Sequence, residues 1–310
     1  MIKNSRILIT GATGFIGRHL VESLLSKNNH ITGTYINNED TSFLNLAIKC
    51  DISNFNQIKS LANFDFDHVF HLAAIADVNA SIANPALDFS VNARGTFNML
   101  EIFKNKRIKS FNFISTVSVL SSDNTLPLGE ESFYGPTTPY SASKMSSEGF
   151  CTAFSNCYGI PVKIIRLFNV FGPFRKGLVV YDFISSLIKN PQELLIRGDG
   201  QQIRDFLFVD DAIDGIEIIA EKGLINNIYH LGSGIPTSIL NLAEEIISIM
   251  HLDSTNIITT NENYSGEFLV WYANIKKIKE IGFTPKVSLK EGLEKTISWV
   301  SENINLNNIK

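Results

Sequence analysis

Tyr140 and Lys144 stand four residues apart in Tyr140-Ser141-Ala142-Ser143-Lys144, downstream of a hydroxyl-rich strand end at Ser115-Thr116. Residues with this spacing share a helix face, so the Lys144 ammonium can sit beside the Tyr140 phenol. There it would ease loss of a proton normally held with a pKa of about 10. A tyrosinate near neutrality can take the proton of a sugar alcohol, and the carbon that becomes a carbonyl must then lose a hydride. The glycine-rich turn Gly11-Ala12-Thr13-Gly14-Phe15-Ile16-Gly17 supplies a place for the acceptor, the nicotinamide of a dinucleotide.

The elements that must position these groups follow from short apolar runs. Ile7-Leu8-Ile9 reads as a buried strand entering the turn, and Phe15 to Leu25 recurs at helical spacing. Strands are expected at His30 to Ile36, Val69 to Leu72, Phe111 to Ile114 and Val162 to Ile165, separated by helices around 86–105 and 140–156. That alternation gives an α/β fold, a Rossmann-type doubly wound parallel sheet covered on both faces. Beyond Pro173 the rhythm changes, with helices near 180–189, 238–250, 274–281 and 288–302, a strand and helix across 206–221, and a strand at Ile228 to Leu231. Residues 1–170 with 205–235 are expected to form the dinucleotide-binding domain, and 171–204 with 236–303 a smaller C-terminal α/β substrate-binding lobe. The Asn-rich tail 304–310 is expected to fray.

Composition narrows the classes. The 310 residues carry a net charge of −4, which argues against a surface for nucleic acid. Cys50, Cys151 and Cys157 show neither CxxC spacing nor an even count, so no disulfide framework is expected. The six histidines are dispersed without HxxxH spacing, which points away from a zinc enzyme. No apolar run approaches the ~18 residues of a membrane span, and the first strand starts too early for a signal peptide. Cytoplasmic residence without membrane association is the expectation.

Gly11, Gly14 and Gly17 would allow a tight turn, close approach of pyrophosphate and snug helix packing, with Phe15 and Ile16 opening the helix. Asp51 could accept from the adenine amino group, with Ile52 beside it. Ala73 and Ala74 end a strand against which a flat cofactor could lie. Tyr35 and Asn37 stand where an acid would bond the adenine ribose, and Arg18 could pair with a 2′-phosphate, so NAD and NADP both remain open.

These residues resemble the extended short-chain dehydrogenase/reductase family, specifically its nucleotide-sugar epimerases, dehydratases and reductases. The resemblance continues through His71-Leu72-Ala73-Ala74, Arg166 to Pro173, Gly198 to Phe206 and Tyr229 to Gly234. It implies that Tyr140 acts as base and acid at the reacting hydroxyl, that Lys144 lowers its pKa and bonds the nicotinamide ribose, and that Thr116 bridges substrate hydroxyl and phenol. It implies further that Asn92 lies beside the cofactor, that Asn169 contacts the sugar diphosphate or the nicotinamide end, that Arg204 grips the diphosphate, and that Glu267 bonds the nucleotide ribose. The partner would be a nucleotide-diphosphate sugar, and helices at about 92–105 and 140–156 would pair two copies into a homodimer.

Departures from the pattern separate the subclasses. The dehydratases place Asp-Glu after their threonine, where this chain has Val117-Ser118, and Tyr264 stands where many members carry arginine. A 4-epimerase with tightly bound cofactor is therefore the leading expectation. An NADPH-dependent 4-ketosugar reductase is the alternative, and a non-catalytic dinucleotide-binding member ranks lower.

Overall fold

The computed structural model describes residues 2–37, 39–260 and 269–304. In chain order its strands are β1 (Arg6–Thr10), β2 (His30–Tyr35), β3 (Leu46–Lys49), β4 (His68–His71), β5 (Ser110–Thr116), β6 (Val162–Leu167), β7 (Asn169–Phe171), β8 (Glu193–Ile196), β9 (Ile203–Phe208), β10 (Asn227–Leu231), β11 (Pro236–Ser238) and β12 (Asn256–Thr259).

Seven of them form one parallel sheet in the order β10-β6-β5-β4-β1-β2-β3. In β1, Ile7 and Ile9 feed one hydrophobic cluster and Leu8 the other, and all three are fully buried. Period-two alternation with both faces apolar requires helices on each side, which is the doubly wound Rossmann-type fold expected. The chain winds outward from β1 toward β3 and then returns through β4 to wind the other way. A crevice therefore opens where β1 and β4 end, at Thr10 and His71.

The remaining strands make two small sheets, β11-β9-β7 and β12-β8. The pairing places β9 with β7 and β11, so this strand crosses the boundary drawn at residue 205 from sequence; only β10 returns to the large sheet. One buried carboxylate ties these parts. Asp205 on β9 accepts from the Ser233 amide and hydroxyl at 2.6 and 2.7 Å, and from the Gly234 and Ala273 amides at 2.9 and 3.0 Å. A Cβ on Gly232 would lie 2.6 Å from that carboxylate, so the glycine is what admits it.

The single helix expected over 86–105 is instead Pro85–Asp88, a wide π-type turn at Phe89–Arg94 and the helix Gly95–Phe103. The turn brings Asn92 inward, with its side-chain amide bonded on three sides. β3, β7, β8, β11 and β12 were not legible as strands, being three or four residues long. Among the described residues no helix is long and apolar enough to cross a membrane.

Candidate active site

The helix Pro139–Tyr158 begins with a capping box. Thr138 accepts from the Ser141 amide, Ser141 accepts in return from the Thr138 amide, and proline occupies the first turn. This fixes Tyr140 in the first turn above the end of β5. Three residues one turn apart then engage three consecutive residues of that strand. Tyr140 lies beside Thr116, Lys144 donates from Nζ to the Ile114 carbonyl at 2.6 Å, and Glu148 accepts from Ser115 at 2.5 Å. The Lys144 ammonium also lies 4.2 Å from the centre of the Phe113 ring.

Burial pushes the Tyr140 phenol up to about 12; Thr116 opposes the rise, Asp88 adds to it and Arg175 opposes it. The Lys144 ammonium meanwhile rests on the strand carbonyl and the Phe113 face. Burial pulls Lys144 itself down to about 8, against the charges of Cys151, Glu148 and Asp88. Spacing by four brings two residues to one helix face, but the long lysine stem decides where the charge rests.

Behind the helix lies a buried ion pair that the spacing 140, 144, 148 could have revealed. Arg166 on β6 donates to both Glu148 oxygens, at 3.0 Å from Nε and 2.8 Å from Nη2, and Tyr134 donates to Glu148 at 2.7 Å. Arg166 and Glu148 are 0% and 1% exposed, so neither charge is paired by water.

At the glycine turn a Cβ on Gly17 would stand 2.2 Å from the Gly11 carbonyl, and one on Gly11, which has φ +69°, 2.9 Å from the Ala73 amide. Only bare backbone closes this turn against β4. No side chain caps the first turn of Phe15–Leu25, which leaves its amides facing outward with the positive end of the helix dipole, a cradle that fits a pyrophosphate. Thr10 joins both strands, bonding His71 Nδ1 at 2.7 Å and accepting from the Ala73 amide at 3.2 Å. His71 Nε2 meets Thr96 at 3.0 Å, and burial holds its pKa down at about 3, keeping the ring neutral.

The other residues singled out from sequence fall as follows. Asp51 accepts from the Ser53 amide at 2.8 Å, and Ile52 is buried where Gly95 has no side chain. Ala73 and Ala74 follow β4 beside the turn. Asn92 is 1% exposed and spends its amide on Ile75, Asp88 and Ser143, so it holds the strand end in place. Arg18 lies between the rings of Phe43 and Phe174, at 4.9 and 4.7 Å. Asn169 accepts from Trp271 Nε1 at 2.8 Å, while Arg204 stacks over the Trp271 ring at 4.5 Å and donates to the Ile203 and Leu269 carbonyls. Trp271 thus joins two residues named from sequence and was itself missed, although it is one of only two tryptophans. Glu267 and Tyr264 lie outside the described residues.

A parallel sheet with a glycine turn at its switch point, and a Thr-Tyr-Lys set one strand away, defines a dinucleotide-dependent enzyme of the Rossmann class. The sequence pattern of the NAD dependent epimerase/dehydratase family matches residues 7–232, and the chain belongs to that family. It is 32% identical to a putative UDP-glucose 4-epimerase of Methanocaldococcus jannaschii, over 96% of this chain and 99% of that one. The UDP-glucose 4-epimerase of Thermotoga maritima, solved with UDP-glucose, superposes with a TM-score of 0.89 at 29% identity, covering 96% and 99% of the two chains. The UDP-glucuronic acid 4-epimerase of Bacillus cereus, solved with its nucleotide sugar and NAD, gives 0.87 at 29% identity over 96% and 99%.

Proposed function

We propose that this chain is a nucleotide-diphosphate-sugar 4-epimerase that oxidises C4 transiently and returns the hydride to the other face, keeping its nicotinamide cofactor bound throughout. The placement of Tyr140 beside Thr116 at the end of β5 carries this reading, because it marks the point where a sugar hydroxyl would meet both oxygens. Gly11, Gly14 and Gly17 with the first turn at Phe15 and Ile16 would hold the pyrophosphate, and Ala73 and Ala74 would floor the site. Asp51 and Ile52 would lie toward the adenine. The cofactor, when bound, supplies the acceptor and donor of the hydride.

In this reading Tyr140 takes the C4 hydroxyl proton through contact with Thr116 and gives it back when the hydride returns. Lys144, fixed on Ile114, provides the positive field and a donor for the nicotinamide ribose. Asn169 and Arg204, joined by Trp271, would contact the sugar diphosphate, with Glu267 on the nucleotide ribose.

Epimerisation is favoured over elimination of water by the residues after Thr116. Val117 and Val119 are buried, and Ser118 turns back to donate its amide to Thr116 at 3.2 Å, so no acid and base follow the threonine. The reductase alternative leaned on Arg18 as a phosphate partner; that guanidinium is sandwiched by two rings, within the field of Asp40. Two copies would meet through the helices at about 92–105 and 140–156, the second of which exposes Phe150.

The test is a panel of nucleotide sugars incubated with purified protein and no added cofactor. Inversion at C4 there supports the epimerase; turnover that appears only when NADPH is added, with one NADPH consumed per product, supports the reductase. Light scattering reports the dimer; a monomer at micromolar concentration contradicts it.

A further inference from the structure

The segment after β7 has a backbone that few side chains tolerate. Phe174 has φ +68° and Leu178 φ +63°, with Gly177 at +71° between them. Bulky residues are held in such conformations only when their neighbours fix them. Here the neighbours belong mainly to the helix that follows the glycine turn. His19 donates from Nε2 to the Pro173 carbonyl at 3.0 Å, and its ring meets Phe174 edge-on at 5.7 Å. Arg18 covers the Phe174 ring at 4.7 Å, and Trp299 lies against it at 5.4 Å.

This anchoring brings Arg175 to the start of the same helix. Its guanidinium carbon is 5.8 Å from the centre of the Phe15 ring, the first residue after Gly14. On its other side Arg175 lines a small cavity with Asn169, Gly172 and Phe206. Its Nε is buried with no hydrogen-bond partner, and among the described residues no acid forms an ion pair with the guanidinium. Asp77 acts on it from a distance, with its Oδ1 spent on the Ala80 amide at 3.0 Å. An arginine keeps its charge, and a buried N–H that meets no acceptor in the protein calls for one from a ligand.

We propose that Arg175 binds the pyrophosphate of the dinucleotide, closing from the segment after β7 the cradle that the glycine turn opens. The anchors favour this anion over the diphosphate of a sugar. Phe15, Arg18 and His19 all lie on the glycine-turn helix, whereas Arg204, assigned to the sugar, is stacked on Trp271. The role needs only the dinucleotide and is independent of the epimerase reading.

The experiment compares full-length wild type, stripped of any copurified dinucleotide, with Arg175→Gln, Arg175→Met and Arg175→Lys. Calorimetry reports NAD affinity at low and high salt, and NMR titration reports affinity for adenosine, which lacks phosphate. Both neutral variants are expected to lose about tenfold to a hundredfold in NAD affinity and to keep that for adenosine. Their NAD binding should also depend less on salt, and Arg175→Lys should recover much of both properties. Unchanged NAD affinity in the neutral variants, an equal loss for NAD and adenosine, or a loss confined to a nucleotide sugar added to NAD-loaded protein would overturn the proposal. Failure of both neutral variants to fold would overturn it too, since the charge would then serve the fold.

Discussion

Lys144 Nζ stands 2.6 Å from the carbonyl oxygen of Ile114, two residues before Thr116 on the same strand. The ammonium is therefore held by rigid sheet backbone. Lys144→Met keeps the stem on Phe113 and removes the charge. Its expected result is a fall in kcat of about 10²- to 10⁴-fold with the fold retained. Full activity measured across pH 7 to 10 would contradict the role assigned to this lysine.

The same lysine has a signature in stability. Its folded-state pKa is about 8, below the ordinary value of 10.5, so between these values the unfolded chain binds more protons than the folded one. Stability therefore rises with pH across that window and is reduced below it. Urea unfolding of wild type and Lys144→Met should show the variant favoured at pH 7, with the gap narrowing by about 1–3 kcal/mol as pH approaches 10.5. Tyr140 acts in the opposite sense. Its phenol is raised from 10 to about 12, so wild type loses stability across that interval and Tyr140→Phe does not. A gap that stays constant with pH would show that neither group is shifted.

Glu148 and Arg166 form a fully buried pair, and removing one member strands the other charge. Glu148→Gln should destabilise the fold by about 3–5 kcal/mol, whereas the double variant Glu148→Met with Arg166→Met should recover most of that loss. Denaturant midpoints provide the comparison. A cost below about 1 kcal/mol for Glu148→Gln would mean that water reaches the pair.

At the glycine turn, Gly17→Ala must displace the Gly11 carbonyl, since its Cβ would otherwise stand 2.2 Å away. Backbone cannot yield there without moving the first turn of the helix. Dinucleotide affinity, measured by fluorescence or calorimetry, is expected to fall by at least about tenfold, with a loss of several degrees in Tm. Gly149→Ala is the control, because nothing lies within 4 Å of a Cβ at that helix position. Equal affinity in the two variants would remove the turn from the cofactor site.

What could be read from the chain was what local spacing encodes. The glycine triplet, the buried strand before it and the Tyr140–Lys144 interval lie within one turn or one helix face, so period and residue type were enough. Asp88, Arg175 and Trp271 were not legible, because their relevance comes from partners brought in by the fold: Trp271 meets Asn169 across 102 positions. Nor could the interval of four show the carbonyl that holds the lysine, which belongs to a strand 30 residues earlier. Short strands such as Asn169–Phe171 and Pro236–Ser238 carry too few residues to show a period, and only pairing with β9 makes them strands.

The fate of the sugar's own C4 hydrogen shows whether the hydride leaves and returns within one site. A nucleotide sugar deuterated at C4 and found to be turned over would be incubated with the protein in ordinary water without added cofactor, and the product read by NMR and mass spectrometry. The account predicts inversion at C4 with the deuterium retained on that carbon, and no inversion when Tyr140 is replaced by phenylalanine. Loss of the deuterium to solvent, or inversion at the wild-type rate without the Tyr140 hydroxyl, would contradict it.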